Sequence, residues 1–153
     1  VEFTSLAPYK IKITGRTRHF INAFGEEVIV DNAETALQAA CEATGARIAE
    51  YTAGPVYMTG QSKGSHQWIA EFSVPPADTA RFADELDRAL QQVNSDYEAK
   101  RFKDTTLLRP TLTVAPEGTF YRWMKERGKV GGQNKVPRLY NDRTYIDQLI
   151  RLL

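Results

Sequence analysis

Tyr9-Lys10-Ile11-Lys12-Ile13 alternates apolar and basic positions with the period of a half-buried strand, and Thr14-Gly15-Arg16 interrupts it with a turn. The run from His19 to Val30 predicts two short strands around Gly25. Asp31, with Glu34 three residues on, has the form of a capping box, and Leu37, Ala40, Cys41 and Thr44 recur at helical spacing until Gly45. That gives a helix of about three turns, with Cys41 on its apolar stripe as a buried small hydrophobe rather than a reactive thiol. Residues 46 to 58 and 66 to 74 read as strands joined by the loop Gly60-Gln61-Ser62-Lys63-Gly64, since Trp68, Ala70, Phe72 and Val74 alternate with their neighbours.

Asp78 comes after Pro75-Pro76 as a cap, and Phe82, Leu86, Leu90, Val93 and Tyr97 then mark the longest helix. Arg81 with Glu85 and Asp84 with Arg88 are opposite-charge pairs four residues apart, expected on its solvated side. Residues 109 to 114 predict a strand, 118 to about 125 a short helix closed by Gly128, and 145 to 150 a terminal helix. These elements allow an α+β domain in which helices pack on a small, mostly antiparallel sheet.

The 153 residues, 42% of them hydrophobic and 25% charged, fit one globular domain with a real core and exclude a disordered tail. A single cysteine and two histidines 47 positions apart, His19 and His66, support neither a disulfide framework nor a zinc site. No apolar run approaches the ~20 residues of a membrane span and no signal peptide is visible at Val1, so the expectation is a cytoplasmic protein without membrane attachment.

Net charge is only +1, but it is unevenly spread. Residues 1 to 22 hold four basic residues against Glu2, and residues 121 to 138 hold six against Glu126. If the two stretches meet, they form a positive face suited to a phosphate-bearing ligand or an acidic partner; two solvated loops account for them equally well.

The glycine-rich basic stretch from Gly128 to Arg138 carries the most chemical information. It is not a phosphate-cradling P-loop, because Trp123 stands where the first glycine would be and Val130 comes directly after Lys129. Gly131 and Gly132 let backbone approach a ligand, Lys135 is presented at the far end, and Pro137 stiffens the chain just ahead of Arg138. A lone ammonium on such an arm can stabilise charge developing on phosphate or carboxylate oxygen, although an exposed lysine on an ordinary loop is the simpler reading of these residues alone. Gly15-Arg16-Thr17-Arg18 reads as a turn between strands or as a basic, glycine-articulated joint. His19 lacks any partner at catalytic spacing, His66 has no assignable role, and Trp123 and Met124 are expected to pack. No Ser, His, Asp set and no paired-carboxylate site is visible.

Taken together, the run Thr14-Gly15-Arg16-Thr17-Arg18-His19-Phe20-Ile21-Asn22-Ala23-Phe24-Gly25-Glu26-Glu27-Val28, then Gly118-Thr119-Phe120, then Gly132-Gln133-Asn134-Lys135-Val136-Pro137-Arg138 resemble the C-terminal part of the auxin-responsive Gretchen Hagen family. These are acyl-acid amido synthetases of the adenylate-forming superfamily. The resemblance implies that residues 1 to 153 are a single C-terminal lid domain, with residues 1 to 18 as strand and hinge segment, and that a large N-terminal adenylation domain is its partner. It implies ATP with Mg2+, bound mainly by that other domain, and carboxylic acid and amine substrates. It assigns Lys135 to the catalytic lysine that reaches the α-phosphate and carboxylate oxygens, Arg16 to the nucleotide ribose, and Gly15 and Arg18 to the hinge, where the superfamily often has Asp or Lys. Gly131, Gly132, Pro137 and Arg138 support the loop, and no metal is held by this chain. The full enzyme would be an acid–amino acid ligase and this chain alone inactive. The alternatives are the lid of an acyl-coenzyme A ligase, or a stand-alone basic module for nucleotide or RNA; the strands lack the aromatic pattern of an RNA-stacking sheet, so nucleic acid is not expected.

Overall fold

The computed structural model describes residues 2–12, 19–60, 62–132 and 134–153. It opens with an antiparallel hairpin of β1 (Glu2–Leu6) and β2 (Tyr9–Lys12), then the two-residue strands β3 (Phe20–Ile21) and β4 (Val28–Ile29), which pair with each other around Gly25. Helix α1 (Val30–Thr44) leads into the hairpin β5 (Arg47–Val56) and β6 (Ser65–Val74). Helices α2 (Thr79–Val93) and α3 (Ser95–Arg101) then carry the chain across to β7 (Thr111–Ala115), which joins β6 in parallel. A parallel neighbour requires such a crossover. Helices α4 (Thr119–Glu126) and α5 (Thr144–Ile150) complete the order. The fold is therefore α+β: among the described residues, five α-helices and small, mostly antiparallel sheets.

The three-stranded sheet β5-β6-β7 is covered on both faces. Successive residues of a strand point to opposite sides, and Trp68 and Ala70 join a core with α1 and α2, whereas Ile69 joins a second core with Phe120, Trp123, Ile146 and Leu149. Each helix layer thus has its own apolar interior. Among the described residues no helix is long and apolar enough to cross a membrane.

Five local expectations are corrected. The capping box at Asp31 and Glu34 does not form: α1 is capped at Ile29, two residues earlier, and Asn32 Oδ1 accepts from Ile29 N at 3.2 Å. Asn32 also donates to Val93 O at 3.1 Å, tying the start of α1 to the end of α2. At 15 residues, α1 also runs about one turn longer than expected before Gly45 stops it. The helix through Tyr97 is two helices, because Asn94 leaves helical geometry and its side chain accepts from Tyr97 N at 2.7 Å to start α3. Tyr97 still reaches the core. The ion pairs on α2 use other partners: Arg88 bonds Glu85 at 2.7 Å, Asp84 pairs with Arg109, and Arg81 donates to Ala43 O at 3.2 Å. Cys41 packs against the core but is only half-buried, and burial raises its thiol pKa.

Candidate functional site

The loop between α4 and α5 is tethered at both ends. At its start, Gly128 N donates to Lys125 O at 3.0 Å and Lys129 N to Met124 O at 2.9 Å, closing α4, whose own first turn is held by the buried Glu71 carboxylate on β6, accepting from Gly118 N at 2.8 Å and Phe120 N at 3.2 Å. A negative group satisfies unpaired helix-terminal donors and complements the helix dipole there. At its end, residues 138 to 140 lie along β5 as an added parallel bridge: Ala53 N donates to Arg138 O at 2.9 Å and Tyr140 N to Ala53 O at 3.1 Å. Thr52 Oγ1 donates to Pro137 O at 2.7 Å, and the Arg138 guanidinium pairs with Glu50 while lying 4.7 Å from the Tyr51 ring centroid. Burial, and after it the charge of Glu34, holds the Tyr51 phenol well above its ordinary range.

Between those anchors the loop separates two clefts. The larger, about 730 Å³, receives Arg127, Lys129, Lys135 and Arg138 from the loop and its flanks, with His19 and Glu34 among the residues lining it. The other, about 550 Å³, is reached by Lys129, Lys135 and Arg138 as well, and adds Glu50 and Glu71. Lys135 is exposed, borders both clefts, and makes no hydrogen bond or ion pair among the described residues. Gly131 adopts φ 130°, a backbone state closed to ordinary side chains, and a Cβ at Gly132 would meet nothing within 4 Å. Arg127 flanks the larger cleft from the end of α4, its guanidinium carbon 4.4 Å from the Trp123 centroid and 4.6 Å from that of Tyr145.

Of the residues singled out from sequence, Lys135, Gly131, Gly132, Pro137 and Arg138 come together in this loop, whereas Gly15, Arg16 and Arg18 lie outside the described residues. Glu50, Glu71 and Arg127 carry much of the local architecture and were not foreseen. Elsewhere, His66 Nε2 and Glu26 Oε1 meet at 2.8 Å with both side chains fully buried. Burial raises the Glu26 pKa, but the His66 hydrogen bond and charge, with backbone N–H groups, outweigh it and leave the carboxyl below its ordinary value. Among the described residues, no three of His, Cys, Asp or Glu gather in a way that could hold a metal.

A family model described as the GH3 family C-terminal domain matches residues 31–144, most of the chain and all of the loop. The chain belongs to the GH3 family. Its fold agrees with solved GH3 structures: "GH3.15 acyl acid amido synthetase" superposes with a TM-score of 0.71 at 16% identity, covering 90% of this chain. "AtGH3.15 acyl acid amido synthetase in complex with 2,4-DB" gives 0.71 at 15% identity, again over 90% of the chain. This GH3 chain spans 27% and 26% of those two structures. No curated protein matches by sequence.

Proposed function

We propose that this GH3 domain is the lid of an ATP-dependent acyl-acid amido synthetase, closing over a nucleotide bound mainly, with its Mg2+, by a larger N-terminal domain. In that enzyme a carboxylate attacks the α-phosphorus of ATP and pyrophosphate leaves. An amine, such as that of an amino acid, then attacks the acyl-adenylate, giving an amide and AMP. Lys135 is the residue this chain contributes to the first step. Its ammonium stabilises the charge that builds on the α-phosphate and carboxylate oxygens. Gly15 and Arg18 serve as hinge, and Arg16 faces the ribose.

One observation carries this reading: an unpaired lysine borders a cation-lined cleft on a loop hydrogen-bonded at both ends, in a domain of the GH3 family. ATP fits the donors present, since Arg127, Lys129 and Lys135 supply positive charge facing Glu34 as the cleft's carboxylate. Preorganised charge aimed at a developing oxyanion contributes a few kcal/mol, so Lys135→Ala in the full-length enzyme should slow acid-dependent ATP–pyrophosphate exchange by about 100-fold. Unchanged exchange would refute the assignment. Product analysis with an amino acid against coenzyme A tests the amide-forming half, because only the first nucleophile yields a stable amide.

A further inference from the structure

We infer that Arg127 is a preorganised receptor for a two-oxygen oxyanion entering the larger cleft, a second anion contact beside Lys135; the inference deepens the proposed function but is tested without it. The guanidinium is packed against two rings. Its carbon lies 4.4 Å and 4.6 Å from the ring centroids of Trp123 and Tyr145. Those rings are themselves held, Trp123 by donating from Nε1 to Gln148 Oε1 at 3.0 Å and Tyr145 by a ring contact with Tyr140 at 4.4 Å. The two rings stand at 72° to each other, so the guanidinium can lie parallel to at most one of them, and cation–π contact of this kind consumes none of its N–H groups in hydrogen bonds to oxygen.

Other arginines around the loop spend that edge on the protein. Arg138 pairs with Glu50, and Arg143 donates to Pro55 O, Gln67 and Asp147. Arg127 makes no side-chain hydrogen bond and no ion pair among the described residues, not even with Glu34, the carboxylate of its cleft. A rigid fork of unused donors beside Lys129 and Lys135 matches a phosphate or carboxylate bidentately. Little side-chain ordering remains to be done on binding. The oxyanion comes either from the phosphates of a nucleotide or from the carboxylate of an acceptor amino acid.

The test monitors the Arg127 Nε–Hε NMR resonance of the full 153-residue chain during titration with inorganic pyrophosphate in one arm and N-acetylalanine in the other. A saturable shift in either arm supports the inference and identifies the source. Arg127→Lys, which keeps the charge but loses the fork, should then weaken binding at least tenfold, against less than threefold for Lys129→Ala. Arg127→Met keeps a long stem over the rings and should abolish binding while the thermal transition stays in place. No saturable shift in either arm, or equal losses in Arg127→Lys and Lys129→Ala, would overturn it, leaving a clip between α4 and α5 in a diffuse positive field. Lys135→Ala should leave the Arg127 shift intact, so failure of the exchange experiment and failure of this one are separable.

Discussion

Removing the Glu71 carboxylate is expected to loosen the start of α4 and, through it, the arm that carries Lys135. Glu71 is 8% exposed and accepts two backbone N–H groups, from Gly118 and Phe120, at 2.8 Å and 3.2 Å. Hydrogen bonds to a charged acceptor are worth about 1.5–3 kcal/mol each, and loss of a helix cap about 0.5–2 kcal/mol. Glu71 also borders the smaller cleft, so water can reach part of the space a truncation would open. These terms place Glu71→Ala at about 3 kcal/mol of destabilisation, and Glu71→Gln, which keeps one acceptor oxygen, at about half of that. For a domain of this size, about 3 kcal/mol corresponds to a drop of about 10 °C in melting temperature. Urea unfolding monitored by tryptophan fluorescence measures it, with Trp123 on α4 in one core and Trp68 on β6 in the other reporting separately once each is replaced in turn. A loss below about 0.5 kcal/mol for Glu71→Ala would show that the two N–H groups are satisfied by solvent and that the carboxylate does not anchor the helix.

Three further outcomes are expected. Asp87 is buried and accepts from Tyr97 Oη at 2.7 Å and from Arg101 Nε and Nη2 at 2.8 Å each, so Asp87→Ala removes three bonds, leaves the Arg101 guanidinium to Asp104 and Leu107 O, and should cost about 3 kcal/mol in urea unfolding. Since the folded state holds the Glu26 carboxyl below its ordinary value, that group adds stability above about pH 4.3 and loses it as the pH falls further. Glu26→Gln should therefore be less stable than wild type at neutral pH, with the gap narrowing on acidification in pH-dependent melting curves; a gap constant with pH would contradict the burial and pairing described. A Cβ at Gly64 would sit 2.4 Å from the Phe24 ring, and Gly64→Ala should cost about 1–3 kcal/mol through overpacking, measured as a fall in the urea midpoint.

Periodicity made most of the fold legible. Strand alternation located β5 and β6, Asp78 marked the start of α2 by accepting from Ala80 N and Arg81 N, and Gly45 ended α1 as expected. Local pattern failed where a side chain had two possible jobs. Asn94 scans as one more polar position on a long helix, but its carboxamide caps the next helix while its amide donates to Glu27 O, and only the tertiary partner decides that choice. Glu85 and Asp84 likewise have partners at helical spacing in the sequence, yet Arg109, 25 residues away, takes Asp84.

The loop shows the same division more sharply. Its glycines, its proline and Lys135 were visible because they lie together in the chain, and composition alone distinguishes a glycine-rich basic arm. What turns that arm into a positioned one was not visible, because Glu71 holds the start of the helix leading into it and Glu50 pairs with its far end, from β6 and β5, 47 residues before Gly118 and 88 residues before Arg138. In the strand pattern both read as ordinary polar positions. The buried His66–Glu26 pair, 40 residues apart, escaped for the same reason. Sequence spacing therefore reveals which group is delivered, and the sheet, through carboxylates that no local motif marks, determines where.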